Sequence, residues 1–318
     1  MNKRLRKTLA IILALTMCLS SGIMAMAQDN MVLANNMADI PTFAVASDAA
    51  TFKSAVSSNV ELIIITNNIS INETIIINHD ITFAAATELS INLLTVAGSN
   101  VTLTFQNVST GSIKSTAALL TIIDGKHSSV SATGSLTING GTYGNSSRAI
   151  YCEGTFTMED GIIENCYNVV AGAGIYSTGT VNINGGEIRN NYAGYKSSCY
   201  GGGIYVKDGT LNISGGVIRE NRVTGFGAGI YIENSVFRMD GGAILYNESE
   251  AFSLSSEQGG GIYAVNCKMF LNAGLIVGNT VTSTSQRGTG IYAVNCTLQY
   301  PSTGIGTQIY DDVYQVSY

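Results

Sequence analysis

The chain has 318 residues, 12% of them charged, with Gly 36, Pro 2 and no Trp. Lys and Arg number 16 against 22 Asp and Glu, a formal net charge of −6, and this acidic balance argues against nucleic acid, whose phosphates would repel it. A chain so poor in charge and in helix formers, yet rich in Ile, Val, Thr, Tyr and Asn, favours strands.

In chain order, Lys3, Arg4, Arg6 and Lys7 make a positive n-region, an apolar run extends from Thr8 to Met24, and Ala25-Met26-Ala27 gives a small-x-small cleavage pattern. These features predict a signal peptide over 1–27 and export to the extracellular space or the cell envelope. Cleavage removes four of the 16 positive charges and no negative one, leaving a net charge of −10. No later stretch reaches the ~18 apolar residues of a membrane span, so none is expected after cleavage. Residues 28–47 read as a poorly ordered leader. The one expected helix is Ala49–Ser57, with Phe52, Ala55 and Val56 on one side to cover the exposed edge of the first β turn. Short apolar or alternating runs come next at Leu62–Thr66, Thr74–Asn78, Ile81–Ala84, Leu89–Val96 and Val101–Phe105.

From 134 to 300 the sequence repeats. Gly-Ile-Tyr or a near copy recurs with Ile at 150, 175, 204, 230, 262 and 291, at gaps of 25, 29, 26, 32 and 29 residues. A short alternating strand and a Gly pair come after it, as in Val181-Asn182-Ile183-Asn184-Gly185-Gly186. Next comes Ile-x-x-Asn at Ile188…Asn191, Ile218…Asn221, Ile244…Asn247 and Ile276…Asn279, with Cys166 in the Asn place one repeat earlier. Three strands this short are unstable alone. Stacked as one coil per repeat, they satisfy their backbones between coils and bury Ile, Val, Leu and Met inside. The expectation is an all-β, single-stranded right-handed parallel β-helix over 48–318, since parallel connections are right-handed. It has irregular turns over 48–133, regular repeats over 134–300 and a C-terminal end over 301–318. At roughly 27 residues per turn it has about nine or ten turns and a length near 45 Å.

Stacking superposes like residues. Tyr151, Tyr176, Tyr205, Tyr231, Tyr263 and Tyr292 form an outward ladder if the Ile before each points inward. Asn191, Asn221, Asn247 and Asn279 form a second, adopting positive φ or bonding free backbone groups; both ladders read as structural. Cys267 and Cys296 occupy equivalent positions, where a disulfide would be strained, so free thiols are expected. The mature chain keeps five cysteines, an odd number without CxxC, and His79 and His127 lie far apart, so no metal set is expected.

Gly202-Gly203-Ile204-Tyr205 and Ile218-x-x-Asn221 resemble the GGA(I/L/V) and FxxN repeats of chlamydial polymorphic outer-membrane adhesins. More broadly the chain is similar to the right-handed β-helix, pectin-lyase-like proteins of bacterial surfaces. The resemblance implies this fold and an adhesin-like or glycan-binding role. The alternative it implies is a polysaccharide lyase or glycoside hydrolase, the lyases of this fold using clustered carboxylates, calcium and a base.

The aligned columns do not supply that chemistry. The position before the Gly pair reads Glu159, Asn184, Ser214, Asp240, Asn272, placing its two acids three turns apart, about 14 Å, too far to share calcium. Glu164, Arg189 and Arg219 stack as an ion pair and an Arg neighbour, and Lys207 pairs with Glu233. Asp311 and Asp312 would point to opposite faces and read as C-terminal capping. No catalytic residue, metal or cofactor is expected; calcium enters only with the lyase alternative. Length variation gathers at one corner, over Tyr192–Tyr200, Arg222–Phe226, Glu248–Gln258 and Thr280–Arg287, which stack into one edge. That edge carries Tyr192, Tyr195, Lys196, Tyr200, Arg222, Phe226, Phe252 and Arg287, a mixture suited to an extracellular glycan or a cell-surface protein. The sequence therefore reads as a monomeric, non-enzymatic extracellular binding protein.

Overall fold

The computed structural model describes residues 42–168, 170–194, 199–250, 258–282, 287–301 and 306–317. The expected signal peptide and most of the expected leader lie outside them. The chain is a parallel β-helix, with all registered pairings parallel and a 26-stranded main sheet wound into three long faces.

Each regular coil runs through the same stations. Ile204–Lys207 lies on the first face, Thr210–Ile213 on the second and Val217–Arg219 on the third. Asn221 turns the chain, and Arg222–Val223 joins a small five-stranded sheet before the chain returns through Gly227 to Ile230. Alternation decides what points where. On the first face Ile204 and Val206 are buried, as are Ile230 and Ile232 one coil on, while the Tyr between faces outward. On the second, Leu211 and Ile213 are buried and Thr210 and Asn212 are half exposed. Burying each such Ile or Leu is worth about 1.5–3 kcal/mol, and the second-face pattern recurs from Leu119–Ile123 to Lys268–Leu271.

The register fixes the coil count. The second face starts at Phe43–Ala46 beside Leu62–Ile65 and reaches Thr297–Gln299, twelve rungs among the described residues. This exceeds the nine or ten that the repeat spacing predicts, because the early coils are shorter. Thr102 pairs with Thr121 and Thr121 with Thr137, whereas a later coil carries Tyr176 to Tyr205. The corners of the early coils turn at positive-φ residues, Gly98, Asn107, Asp124–Gly125 and Gly140–Gly141. The first strand also lies inside the stretch read as leader, so the coil begins at Phe43 and not at 48.

The helix, α1, spans Ala49–Ser57 with Phe52, Ala55 and Val56 buried, as the sequence predicts. Asp48 caps it: its carboxylate accepts from the Thr51 N–H at 2.8 Å, and Thr51 Oγ1 accepts from the Asp48 N–H at 3.1 Å, a reciprocal arrangement worth about 1 kcal/mol. Phe52 begins an internal aromatic stack that runs through Phe83, Phe105, His127 and Tyr143, with centroids 5.9, 5.2, 4.7 and 5.0 Å apart. His127 is wholly inside. Its Nε2 faces the Asp124 carbonyl at 2.9 Å and must donate, so its Nδ1 accepts from the Thr110 hydroxyl at 2.8 Å. Burial drives its pKa from 6.5 down to about 4, which keeps the ring neutral.

No helix among the described residues is long and apolar enough to cross a membrane.

Candidate functional site

Four outward-facing surfaces and one buried ladder carry the polar and aromatic side chains. The tyrosine ladder is in register from Tyr151 to Tyr292. Neighbouring centroids are 5.0–5.6 Å apart and the planes are within 11° of parallel. Tyr314 adds a seventh ring at 5.1 Å. Ring stacks of this kind are worth about 0.5–1.5 kcal/mol per pair. Because ring faces meet ring faces, the outside of the ladder presents edges and hydroxyls. A sugar stacking on aromatic carbon needs an open face, and the ladder's interior offers none. Burial raises the Tyr205 and Tyr231 hydroxyl pKa values, and the Glu233 carboxylate adds to both.

The asparagine ladder is fully buried along Asn191, Asn221 and Asn247. Each Nδ2 donates backward to an Ile carbonyl and forward to the next Asn. Asn221, for example, donates to Ile188 O at 2.9 Å and to Asn247 Oδ1 at 3.0 Å, while its own Oδ1 accepts from the Asn191 N–H and Nδ2 at 3.1 and 3.0 Å. Of the two roles expected for this column, the asparagines take the second, bonding free backbone groups; positive φ sits one position before the column, at Asn165, Asn190, Glu220 and Tyr246 (φ 52 to 55). The ladder ends at Asp311, whose carboxylate accepts from the Gly278 and Asn279 N–H groups and from Asn279 Nδ2, each at 2.9 Å. Asp312 accepts from the Gly288 N–H at 2.7 Å. Both acids therefore cap backbone.

The insertion edge separates into distinct groups. In the small sheet, Tyr167 and Tyr192 are in register, with rings 5.3 Å apart, and Arg222 is next in line. The Arg222 guanidinium lies 5.8 Å over the Tyr192 ring and ion-pairs with Glu248 at 3.4 Å and with Glu250. Tyr200 and Phe226 belong to the tyrosine ladder instead. Tyr200 packs edge-on against Tyr231 at 4.8 Å, Phe226 tilts against Tyr263 at 4.9 Å, and the two stack at 5.8 Å. Arg287 lies over Tyr314 at 4.9 Å and donates to its hydroxyl at 2.9 Å. Arg148 covers Tyr176 at 4.7 Å and donates to the Gly172 and Ala171 carbonyls. Tyr195, Lys196 and Phe252 lie outside the described residues. Gly201, between Tyr200 and its ladder strand, has φ +59, and a Cβ there would sit 2.3 Å from Ile204 O; only glycine lets the edge turn in this tightly.

The third face carries a connected run of ion pairs. Arg189 bonds Glu164 at 2.9 Å and Glu187 at 2.8 Å, and Arg219 bonds Glu187 and also Glu220. Lys207 lies 3.5 Å from Glu233, as the alignment of turns predicts. Cys152, Cys166, Cys199, Cys267 and Cys296 are all buried and in no disulfide, and the Cys267 N–H donates to Cys296 Sγ at 3.2 Å. Among the described residues no three His, Cys, Asp or Glu side chains gather closely enough to hold a metal ion.

The second face is different in kind. Its central outward column reads Thr102, Thr121, Thr137, Thr157, Asn182, Asn212, all in register. The flanking column on one side reads Asn100, Leu119, Ser135, Thr155, Thr180, Thr210; on the other it reads Thr104, Ile123, Asn139, Glu159, Asn184, Ser214. Asn212 donates to Asn182 Oδ1 at 2.9 Å, Asn182 to Thr157 Oγ1 at 3.4 Å, and Ser214 to Asn184 Oδ1 at 2.9 Å. The repeat motifs mark the Tyr and Asn ladders but pass over this threonine field. Its signal is the alternation Thr-x-Thr and Thr-x-Asn, hidden because the early coils vary in length.

No family model matches the chain, and neither the curated proteins nor the solved structures include a match to it.

Proposed function

We propose that the chain is a secreted or envelope-associated β-helix that acts without catalysis, holding an extracellular glycan or a cell-surface protein against its outer surface. The observation that carries this reading is the mutual pairing of its charges. Glu164, Arg189, Glu187, Arg219 and Glu220 form one connected chain, Arg222 is held by Glu248 and Glu250, and Lys207 lies beside Glu233. An acid–base pair for glycoside or uronate chemistry needs carboxylates or a base aimed into a shared cleft. These paired groups run along the rod and bind one another, not a shared cleft. A rigid scaffold that repeats the same polar side chain every coil suits a partner that is itself extended, contacted many times weakly. The signal-like N-terminus supports export, and the GGIY and IxxN repeats support an adhesin-like role by their resemblance to the chlamydial repeats.

The test is a glycan array run beside product assays on pectin, alginate and glycosaminoglycans. Retention without new reducing ends or unsaturated products is expected. Calcium-dependent unsaturated products would replace this reading with the lyase one.

A further inference from the structure

We infer that the threonine field of the second face is the binding surface, and that its ligand is a neutral, extended polysaccharide. The inference rests on the binding-protein reading above and deepens it. The side-chain hydroxyls of Thr102, Thr121, Thr137, Thr155, Thr180 and Thr210 have no hydrogen-bond partner among the described residues, and all six residues are half exposed. The polar groups of the asparagine ladder and the ion-pair chain, by contrast, are joined to one another within the protein.

Charge selects the ligand. Across six rungs, from Asn100 to Ser214, the three outward columns hold one charged side chain, Glu159, at the margin. The next rung brings Arg238, and the one after it Lys268, so the uncharged field has a definite end. An anionic glycan would find no cation there, and a cationic one little to hold it. Size argues against a protein partner. Rungs about 4.8 Å apart and residues about 3.3 Å apart along each strand give a field near 24 Å by 13 Å, roughly 300 Å². A stable protein interface buries about 800 Å² per partner and is centred on Trp, Tyr or Arg anchors, none of which the field contains. A hydroxyl-rich polymer suits it: each hydroxyl and amide both donates and accepts, and many weak contacts add along the polymer.

The test is depletion of the full mature chain from solution by insoluble cellulose, chitin, mannan and β-1,3-glucan, with polygalacturonate and heparin resins as anionic comparisons. Binding to at least one neutral polymer is expected, and it should persist in ~0.5 M NaCl, where charge contacts are screened within a few Å. Thr137→Lys/Thr157→Lys should abolish it. Thr137→Val/Thr157→Val, which keeps shape and removes two hydroxyls, should weaken it about tenfold or more, given about 1 kcal/mol per hydrogen bond. Tyr192→Ala/Arg222→Ala should leave it unchanged. Binding lost in the Tyr192/Arg222 variant but not in the threonine variants would move the site to the insertion edge and keep the binding function. Retention only on the anionic resins would overturn the ligand class. No retention on any polymer, or ice shaping that the threonine variants abolish, would overturn the inference; the first result would also count against the glycan arm of the broader proposal.

Discussion

Asn221→Ala is the sharpest test of what holds the coils together. The side-chain amide of Asn221 makes four hydrogen bonds, two as donor and two as acceptor, all between 2.9 and 3.1 Å, and the residue has no exposed surface. Alanine removes all four and strands the Ile188 carbonyl and two N–H groups of Asn191 where water does not reach. At about 1 kcal/mol per bond, with a further penalty for buried groups left unpaired, the loss is about 4 kcal/mol or more. Asn212→Ala is the matched control. It lies on the same coil and is also part of an Asn pair, but it is half exposed and donates one side-chain bond, to Asn182, so its cost is under about 1 kcal/mol. Urea unfolding monitored by circular dichroism gives both numbers. Because coils contact only their neighbours, the damage should be local: amide exchange should quicken at Asn191, Asn221 and Asn247 before it does near α1. Equal destabilisation by the two substitutions would refute the argument that the buried ladder is a principal tie between coils.

His127 and Tyr231 give two further expected outcomes. His127 has its pKa lowered from 6.5 to about 4 by burial, so its neutral form stabilises the fold. That contribution is complete above pH 6.5 and is lost as pH falls through the interval to 4, amounting to about 3 kcal/mol; the stability of the wild type relative to His127→Phe, measured by urea titration at several pH values, should fall by that amount on acidification. Tyr231→Phe keeps the ring contacts with Tyr205 and Tyr263 at 5.2 and 5.4 Å and should cost under about 1 kcal/mol, whereas Tyr231→Ala should cost about 3 kcal/mol or more in the same assay.

The regular half of the fold was legible because Gly-Ile-Tyr and Ile-x-x-Asn recur at fixed stations, and each station imposes one physical demand. Ile must point inward, Tyr has neighbours of its own kind above and below, and Asn must bond backbone that the turn leaves free. α1 was legible for a local reason, three apolar residues on one side of a short segment. The first coils were harder. They have alternation but no anchor motif, so strand positions could be read while coil length could not. Tyr314 escaped because Val313, not Ile, precedes it and no glycine introduces the pair. The positive-φ station escaped because four different residue types occupy it, Asn190, Glu220, Tyr246 and Gly278. At the edge, the sequence placed Tyr200 and Phe226 correctly in one corner but could not show that they fold back onto the tyrosines. Arg222 reads as a free cation until Glu250, two residues beyond its own rung partner Glu248, is seen to reach it.

The asparagine ladder also has a direction. Every amide in it points its oxygen toward the N-terminal end and one N–H toward the C-terminal end, so the small side-chain dipoles add along the rod as peptide dipoles do in a helix. The positive pole of that column is Asn279, and the group waiting there is the anion of Asp311. A carboxylate at the opposite end, beside Asn191, would face oxygen and be repelled. The rod is thus electrically polarised along its interior, and swapping a terminal residue for its isostere should matter at one end far more than at the other.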